Sequence, residues 1–188
     1  MNQKSAVITG PTGAVGIALI QKLIVEGYFV YAVIRPDSNR KGNIPVTPAI
    51  SIIECDISAL SKLPDLIKKK CDIFYHLAWE GTTGDARNDK ELQDKNVKHA
   101  LDAVSAAKKL GCGIFIGAGS QAEYGRVEGL LKPDTPTHPE NEYGRGKLQA
   151  GILTRKLCQE CGMKHIWVRI LSVYGPHDGE NSMIMSSI

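Results

Sequence analysis

The sequence predicts an α/β protein built on a doubly wound parallel sheet, with helices on both faces. Two observations carry that expectation. Short β-branched runs alternate with longer stretches of helical periodicity along the whole chain, which calls for parallel strands joined by crossover helices. The short runs are also almost continuously apolar, as strands are when both faces of their sheet are covered.

Ala6 to Thr9 reads as the first strand. A helix over Ala14 to Glu26 follows, with Val15, Leu19 and Leu23 spaced by four and Ile20 and Ile24 repeating beside them. Gly27 ends it, since a helix terminus often needs a residue free to turn left-handed. Phe29 to Ile34 is the second strand, and Ile50 to Ile53, beyond Pro45 and Pro48, the third. Ser58 to Lys69 reads as a helix, with Pro64 awkwardly inside it. Ile73 to Leu77 is a fourth strand, Leu92 to Leu110 a long helix, and Ile114 to Ile116 a fifth strand running into Gly117-Ala118-Gly119. Tyr143 to Cys161 is helical and Ile166 to Leu171 is the sixth strand. There is no internal repeat.

Composition narrows the function. With 188 residues, 43% apolar and 23% charged, the chain suits one soluble domain, or one and a piece, large enough for its own core. A net charge of +3, without a basic block, gives no ground for a nucleic-acid partner. Apolar runs such as 27–34 fall far short of the ~18 residues of a membrane helix, and the start carries no signal-peptide pattern. The five cysteines, at 55, 71, 112, 158 and 161, are odd in number and read as reduced thiols of a cytoplasmic protein. Cys158 and Cys161 form a lone CxxC; with no second pair or histidine set, no metal site is expected.

Ligands of such sheets bind beyond the carboxyl ends of the strands. The first of these ends is Thr9-Gly10-Pro11-Thr12-Gly13-Ala14-Val15-Gly16. Gly10 permits the sharp turn, Gly13 leaves room for a pyrophosphate against the backbone, and Gly16 lets helix pack on strand. The helix N-terminus offers free N–H groups and a positive dipole end to phosphates.

Tyr143 and Lys147 lie four apart on a predicted helix and share a face. A phenol near a cation ionises more readily than its reference value of ~10, and can then exchange a proton with a hydroxyl or carbonyl near neutral pH. At the end of the second strand, where NAD-specific folds usually place an acid for the ribose 2′-hydroxyl, the chain has Arg35, followed by Asp37, Arg40 and Lys41. A guanidinium suits a 2′-phosphate, so NADP is slightly favoured over NAD.

The G-x-x-G-x-x-G spacing behind Thr9 resembles the short-chain dehydrogenase/reductase superfamily. Cys55-Asp56-Ile57, His76-Leu77-Ala78, Asn96-Val97, Ser120 to Gly125, Tyr143-x-x-x-Lys147 and Arg169 to Pro176 follow in order. Together they resemble its extended branch, the NAD-dependent epimerase/dehydratase family, over essentially the whole chain. The resemblance implies a Rossmann fold and a nucleotide-sugar substrate. It makes Ser120, Tyr143 and Lys147 catalytic: Ser120 orients the reacting oxygen, Tyr143 transfers the proton, and Lys147 supports tyrosine and cofactor ribose. The cofactor would be held by Gly10, Thr12, Gly13, Ala14, Val15, Gly16, Arg35, Asp56, Ile57, Leu77, Ala78, Asn96, Tyr143 and Lys147. Asp56 and Ile57 would flank the adenine, Leu77 and Ala78 would line the cleft, and His76 would be scaffold.

Two departures narrow the chemistry. The 4,6-dehydratases of the family place an Asp-Glu pair just after the Ser/Thr; here Gln121 and Ala122 stand there, with Glu123 one position late. Dehydration is therefore disfavoured. Trp79-Glu80-Gly81 replaces small residues at the cleft, where it serves either ligand stacking or local packing. The resemblance further implies an NAD(P)-binding domain over 1–176 and, over 177–188, the start of a substrate-binding region of which little is present. The reading that results is keto-sugar reduction, or epimerisation through a keto intermediate, with little activity in this chain alone. The alternatives are a catalytically silent NAD(P)-sensing regulator and a plain nucleotide-binding module. The helices around Leu101 and Leu153 suit a homodimer.

Overall fold

The apolar runs fold into one six-stranded parallel sheet in the order β3-β2-β1-β4-β5-β6. The strands are β1 (Ser5–Thr9), β2 (Phe29–Ile34), β3 (Ile50–Glu54), β4 (Ile73–His76), β5 (Ile114–Ser120) and β6 (Lys164–Ile170). The helices are α1 (Ala14–Val25), α2 (Leu63–Ile67), α3 (Lys90–Lys109) and α4 (Glu142–Glu160). The structure is a computed structural model and describes residues 3–176. The region 177–188, expected to begin a substrate-binding part, lies outside the described residues.

Alternation along the strands builds two cores. Ala6, Ile8, Val30, Ala32 and Ile34 meet Ile17, Ile20 and Leu23 of α1. On the other face Val7, Val33, Phe74 and Phe115 meet Leu60, Leu63, Val104 and Ala107. Every residue of β1 is buried, which fits its place at the centre. The strand order reverses between β1 and β4, where Thr9 stands beside His76, so a crevice opens at their carboxyl ends.

The segment read as one helix over 58–69 is instead a 3₁₀ turn, Ile57–Lys62, followed by the short α2. Pro64 explains this: it sits in the first turn of α2, where a missing N–H breaks no helical bond. Asp89 caps α3, taking the Leu92 N–H at 3.0 Å, so that helix begins before the first periodic apolar residue. β5 runs past Ile116 to Ser120, because three small residues let Trp167 pack over them: a Cβ on Gly117 or Gly119 would strike its ring.

At β6, helical cover is one-sided among the described residues. His165 and Trp167 face α4, whereas Ile166 and Val168 are 36% and 45% exposed. All five cysteines are free. Burial, and then the neighbouring Cys161, push the Cys158 thiol up to about 11, so Cys158 is a quiet, buried helix thiol. Among the described residues no helix is long and apolar enough to cross a membrane.

Candidate active site

The glycine turn has the shape its sequence calls for. Gly10 has φ +70°, and a Cβ there would stand 2.7 Å from the Ala78 nitrogen. A Cβ on Gly16 would lie 2.6 Å from the Pro11 carbonyl. Gly13 differs: nothing lies within 4 Å of a Cβ built on it, so its backbone faces open space. Gly13 caps α1 without a side-chain bond, leaving first-turn N–H groups aimed outward. This is a cradle that fits a diphosphate.

Beside it lies a cavity of about 440 Å³ lined by Thr9, Gly10, Pro11, Thr12, Val33, Arg35, Arg40, Cys55, Ile57, Ala78 and Trp79 among others. Its size suits a nucleotide, and Arg35 and Ile57 are among its lining residues. Ala14 and Val15 line a separate, apolar cavity with Val168 and Ile170. Leu77 turns into the α1 core. Asp56 is an N-cap: its Oδ1 accepts from the Ser58 amide at 2.8 Å and the Ser58 hydroxyl at 2.6 Å, and these bonds hold its carboxyl below the usual range. Arg35 lies 3.7 Å from Asp37 in an exposed pair.

Ser120, Tyr143 and Lys147 converge at the end of β5. Ser120 closes that strand, and its Oγ accepts the Ala122 N–H at 3.1 Å. Asn141 caps α4 through the Gly144 N–H at 2.8 Å, which sets Tyr143 in the first turn. One turn on, Lys147 is 3% exposed and donates to the Ala118 carbonyl at 2.7 Å. Its ammonium lies 3.9 Å from the Trp79 ring centroid and 5.8 Å from that of Tyr143.

Burial pushes the Lys147 amine down to about 7, opposed by Glu123. Burial also raises the Tyr143 phenol, against the lowering that its neighbours were expected to produce. The Ser120 side chain and the Arg87 charge pull the other way and do not outweigh it. His76 is scaffold: it is 2% exposed, its Nδ1 meets Thr9 Oγ1 at 2.9 Å, and burial, then Lys147 and His99, push its imidazole down to about 3.

Several site-building residues escaped the sequence reading. Gln93 holds the loop after β4, accepting from Trp79 Nε1 at 2.8 Å and donating to the Gly81 and Ala86 carbonyls at 3.0 and 2.9 Å. Asn96 clamps Glu80, taking its N–H at 3.0 Å and donating to its carbonyl at 2.9 Å. Trp79 thus packs over Lys147, and Arg87 from the same loop lies 4.4 Å from the Tyr143 ring centroid. Glu123 is fully buried, bonded to Arg169 Nε at 2.8 Å, Trp167 Nε1 at 3.0 Å and the Ser120 amide at 2.8 Å. It is a strut, with no free carboxylate for acid–base work. The capping spacings of Asp89 and Asn141, and the Ser-x-x-Glu box of Ser120 and Glu123, are local sequence signals; the Arg87 contact with Tyr143 and the Glu123 contacts with Trp167 and Arg169 join distant segments and leave none.

A sheet of this order, a glycine turn at the reversal point and a nucleotide-sized cleft beside it define a dinucleotide-binding α/β protein. The chain belongs to the NAD dependent epimerase/dehydratase family, whose model matches residues 6–188. It is 28% identical over 186 residues to a dTDP-6-deoxy-L-talose 4-dehydrogenase (NAD(+)) of Aggregatibacter actinomycetemcomitans, covering 94% of this chain and 64% of that protein. A UDP-glucuronic acid 4-epimerase from Bacillus cereus, solved with NAD, superposes with TM-score 0.81 at 25% identity, over 96% of this chain and 61% of that one. A UDP-galactose 4-epimerase superposes with TM-score 0.84 at 22% identity, over 97% of this chain and 60% of that one, and shows the shared fold. The chain therefore spans about three fifths of the length of these relatives.

Proposed function

We propose that this chain carries the cofactor-binding part and the proton-transfer residues of an NAD(P)-dependent enzyme acting on a nucleotide sugar. It reduces a keto-sugar, or epimerises one hydroxyl through a keto intermediate. The observation that supports this most is the placing of Tyr143 and Lys147 one turn apart on α4, with Tyr143 in its first turn and the Lys147 ammonium held by the Ala118 carbonyl of β5, the strand that Ser120 ends. Dehydrogenase and epimerase relatives agree with it.

The nicotinamide cofactor, when bound, supplies the hydride acceptor or donor. Gly10, Thr12 and Gly13 and the first-turn amides of Ala14, Val15 and Gly16 would hold its diphosphate. Arg35 would meet the adenosine ribose or its 2′-phosphate, with Ile57 and Ala78 along the cleft wall. Tyr143 passes a proton to or from the substrate oxygen, and Ser120 fixes that oxygen against it. Lys147 uses one donor on Ala118 and keeps others for the cofactor ribose. Glu123 is spent on Arg169 and Gln121 and Ala122 carry no acid, which speaks against elimination of water.

Turnover is assigned to the whole protein, because this chain spans about 60% of the relatives and remote contacts to the nucleotide supply much of substrate orientation. A soluble cytoplasmic protein, paired with a second copy through α3 and α4, completes the proposal. A second reading, a cofactor sensor without turnover, draws on the burial of Lys147 under Trp79.

The test is to supply the whole protein with NADH or NADPH and a panel of keto-sugar nucleotides, and with NAD(P) and the corresponding nucleotide sugars. Cofactor-dependent conversion is expected. Stoichiometric cofactor binding with no conversion across the panel would favour the sensor.

A further inference from the structure

We propose that Arg87 is a positioning residue for proton transfer at Tyr143, its guanidinium lying on the face of the phenol ring as a fixed positive charge that favours the phenolate. The proposal rests on Tyr143 being the proton-transfer group, and it adds a residue that neither the glycine turn nor the tyrosine–lysine spacing announces. The proton still moves between the phenol oxygen and the substrate oxygen. Arg87 neither gives nor takes one.

The geometry is built rather than incidental. The Arg87 carbon between the guanidinium nitrogens is 4.4 Å from the Tyr143 ring centroid, within cation–π range. Arg87 stands on the 3₁₀ turn Gly84–Asn88, and its Nη1 donates to the Thr82 carbonyl at 3.0 Å. Gln93, 1% exposed, ties the same loop down through the Gly81 and Ala86 carbonyls. The ion pairs among the described residues leave Arg87 out, so no carboxylate neutralises it there. It also lines a cavity of about 450 Å³ with Ser120, Gln121 and Asn141, which puts its charge at the reacting end of the site.

The other groups facing Tyr143 explain why a second cation matters. Ser120, from β5, favours the ionised phenol. Glu123, from the turn after β5, opposes the phenolate, although Arg169 offsets that carboxylate. Lys147, on α4, lies 5.8 Å from the ring centroid and is pushed down to about 7 by burial. It sheds its charge in the range where the phenolate must form. A guanidinium does not. A cation on the ring face also acts on a charge that the phenolate spreads over its ring, so the stack favours the ionised form more than the neutral one.

The test is an NMR titration of ring-labelled tyrosine in this chain, with Tyr143→Phe identifying the resonance. Arg87→Met should raise the Tyr143 midpoint by about one pH unit. Arg87→Lys, which keeps a charge but loses the planar stack, should fall between Arg87→Met and the parent. If Arg87→Met fails to fold, Arg87→Gln is read in its place. A midpoint unmoved by loss of the guanidinium, or moved as far by Arg87→Lys as by Arg87→Met, overturns the proposal. The readout needs no sugar substrate. A shifted midpoint, with no conversion by the whole protein across the nucleotide-sugar panel, would leave the effect of the Arg87 charge on the phenol standing and remove its role in proton transfer along with the oxidoreductase reading.

Discussion

The two ends of the crevice are built in opposite ways. The glycine-turn end is backbone: two tight approaches at Gly10 and Gly16, one open position at Gly13, and the amides of a helix start. The Tyr143 end is side chain: Ser120 from β5, Tyr143 and Lys147 from α4, and Trp79 and Arg87 from the loop after β4. At the first end the absence of volume is what counts. At the second the chemical identity and charge of each group count, and burial works against the charged forms.

The sharpest way to break this contrast is to add volume. Gly16→Val drives methyls into the Pro11 carbonyl, where backbone cannot yield, and should destabilise the fold by about 3 kcal/mol or more in urea unfolding. Gly13→Val meets nothing, and the Gly13 backbone, at φ −84°, suits any residue. It should melt like the parent and lose cofactor binding, as calorimetric titration would show. Equal loss of stability in both variants would contradict the division between packing glycine and ligand glycine.

Next in size is the strut under the side-chain end. Glu123→Ala leaves Arg169, the Trp167 Nε1–H and the Ser120 amide without their acceptor. Breaking a buried ion pair costs about 3 kcal/mol, measured here by urea unfolding. A variant as stable as the parent would show that Glu123 is replaceable by water.

The Lys147 charge gives a smaller, pH-dependent effect. The amine is near 10.5 when unfolded and about 7 when folded. Between those values the unfolded chain holds the extra proton, so this group's contribution makes stability rise with pH, and its full penalty is felt below pH 7. Lys147→Met should therefore stabilise the chain most at acid pH, with the gap narrowing as pH climbs from 7 towards 10.5. Melting curves across that range check it; a gap that is flat with pH would mean that Lys147 stays charged in the fold.

The smallest effect is expected at Arg35, which is more than half exposed. Arg35→Ala should weaken NADPH roughly tenfold and NADH hardly at all, since a charged hydrogen bond to a 2′-phosphate is lost. Tighter NADH binding in the parent, unaffected by the substitution, would turn the cofactor preference around.

How much of this was legible in the sequence follows the same division. Backbone features have local spelling: the glycines at 10, 13 and 16, the apolar strands, and Asn141 before its helix all act within a few residues. For Asp56, Leu77 and Asn96, position in a motif does not say where a side chain turns, and the structure supplies that. Asp56 turned to cap Ser58, Leu77 into the α1 core, and Asn96 to the Glu80 backbone. Arg87 on Tyr143 and Glu123 on Arg169 depend on strand order and on loops folding back, so no spacing rule could have shown them. Pro64, which looked like a flaw in one helix, was the start of another.

The central claim is that the glycine turn holds the cofactor's diphosphate while Tyr143 transfers the proton, and Tyr143→Phe tests it most directly. The ring and its contact with Trp79 remain while the transferable proton goes. In the whole protein, cofactor affinity by titration should match the parent and turnover of the nucleotide-sugar substrate should fall by ~10²–10⁴-fold. Turnover within a few-fold of the parent, with cofactor binding intact, would place the chemistry elsewhere in the molecule.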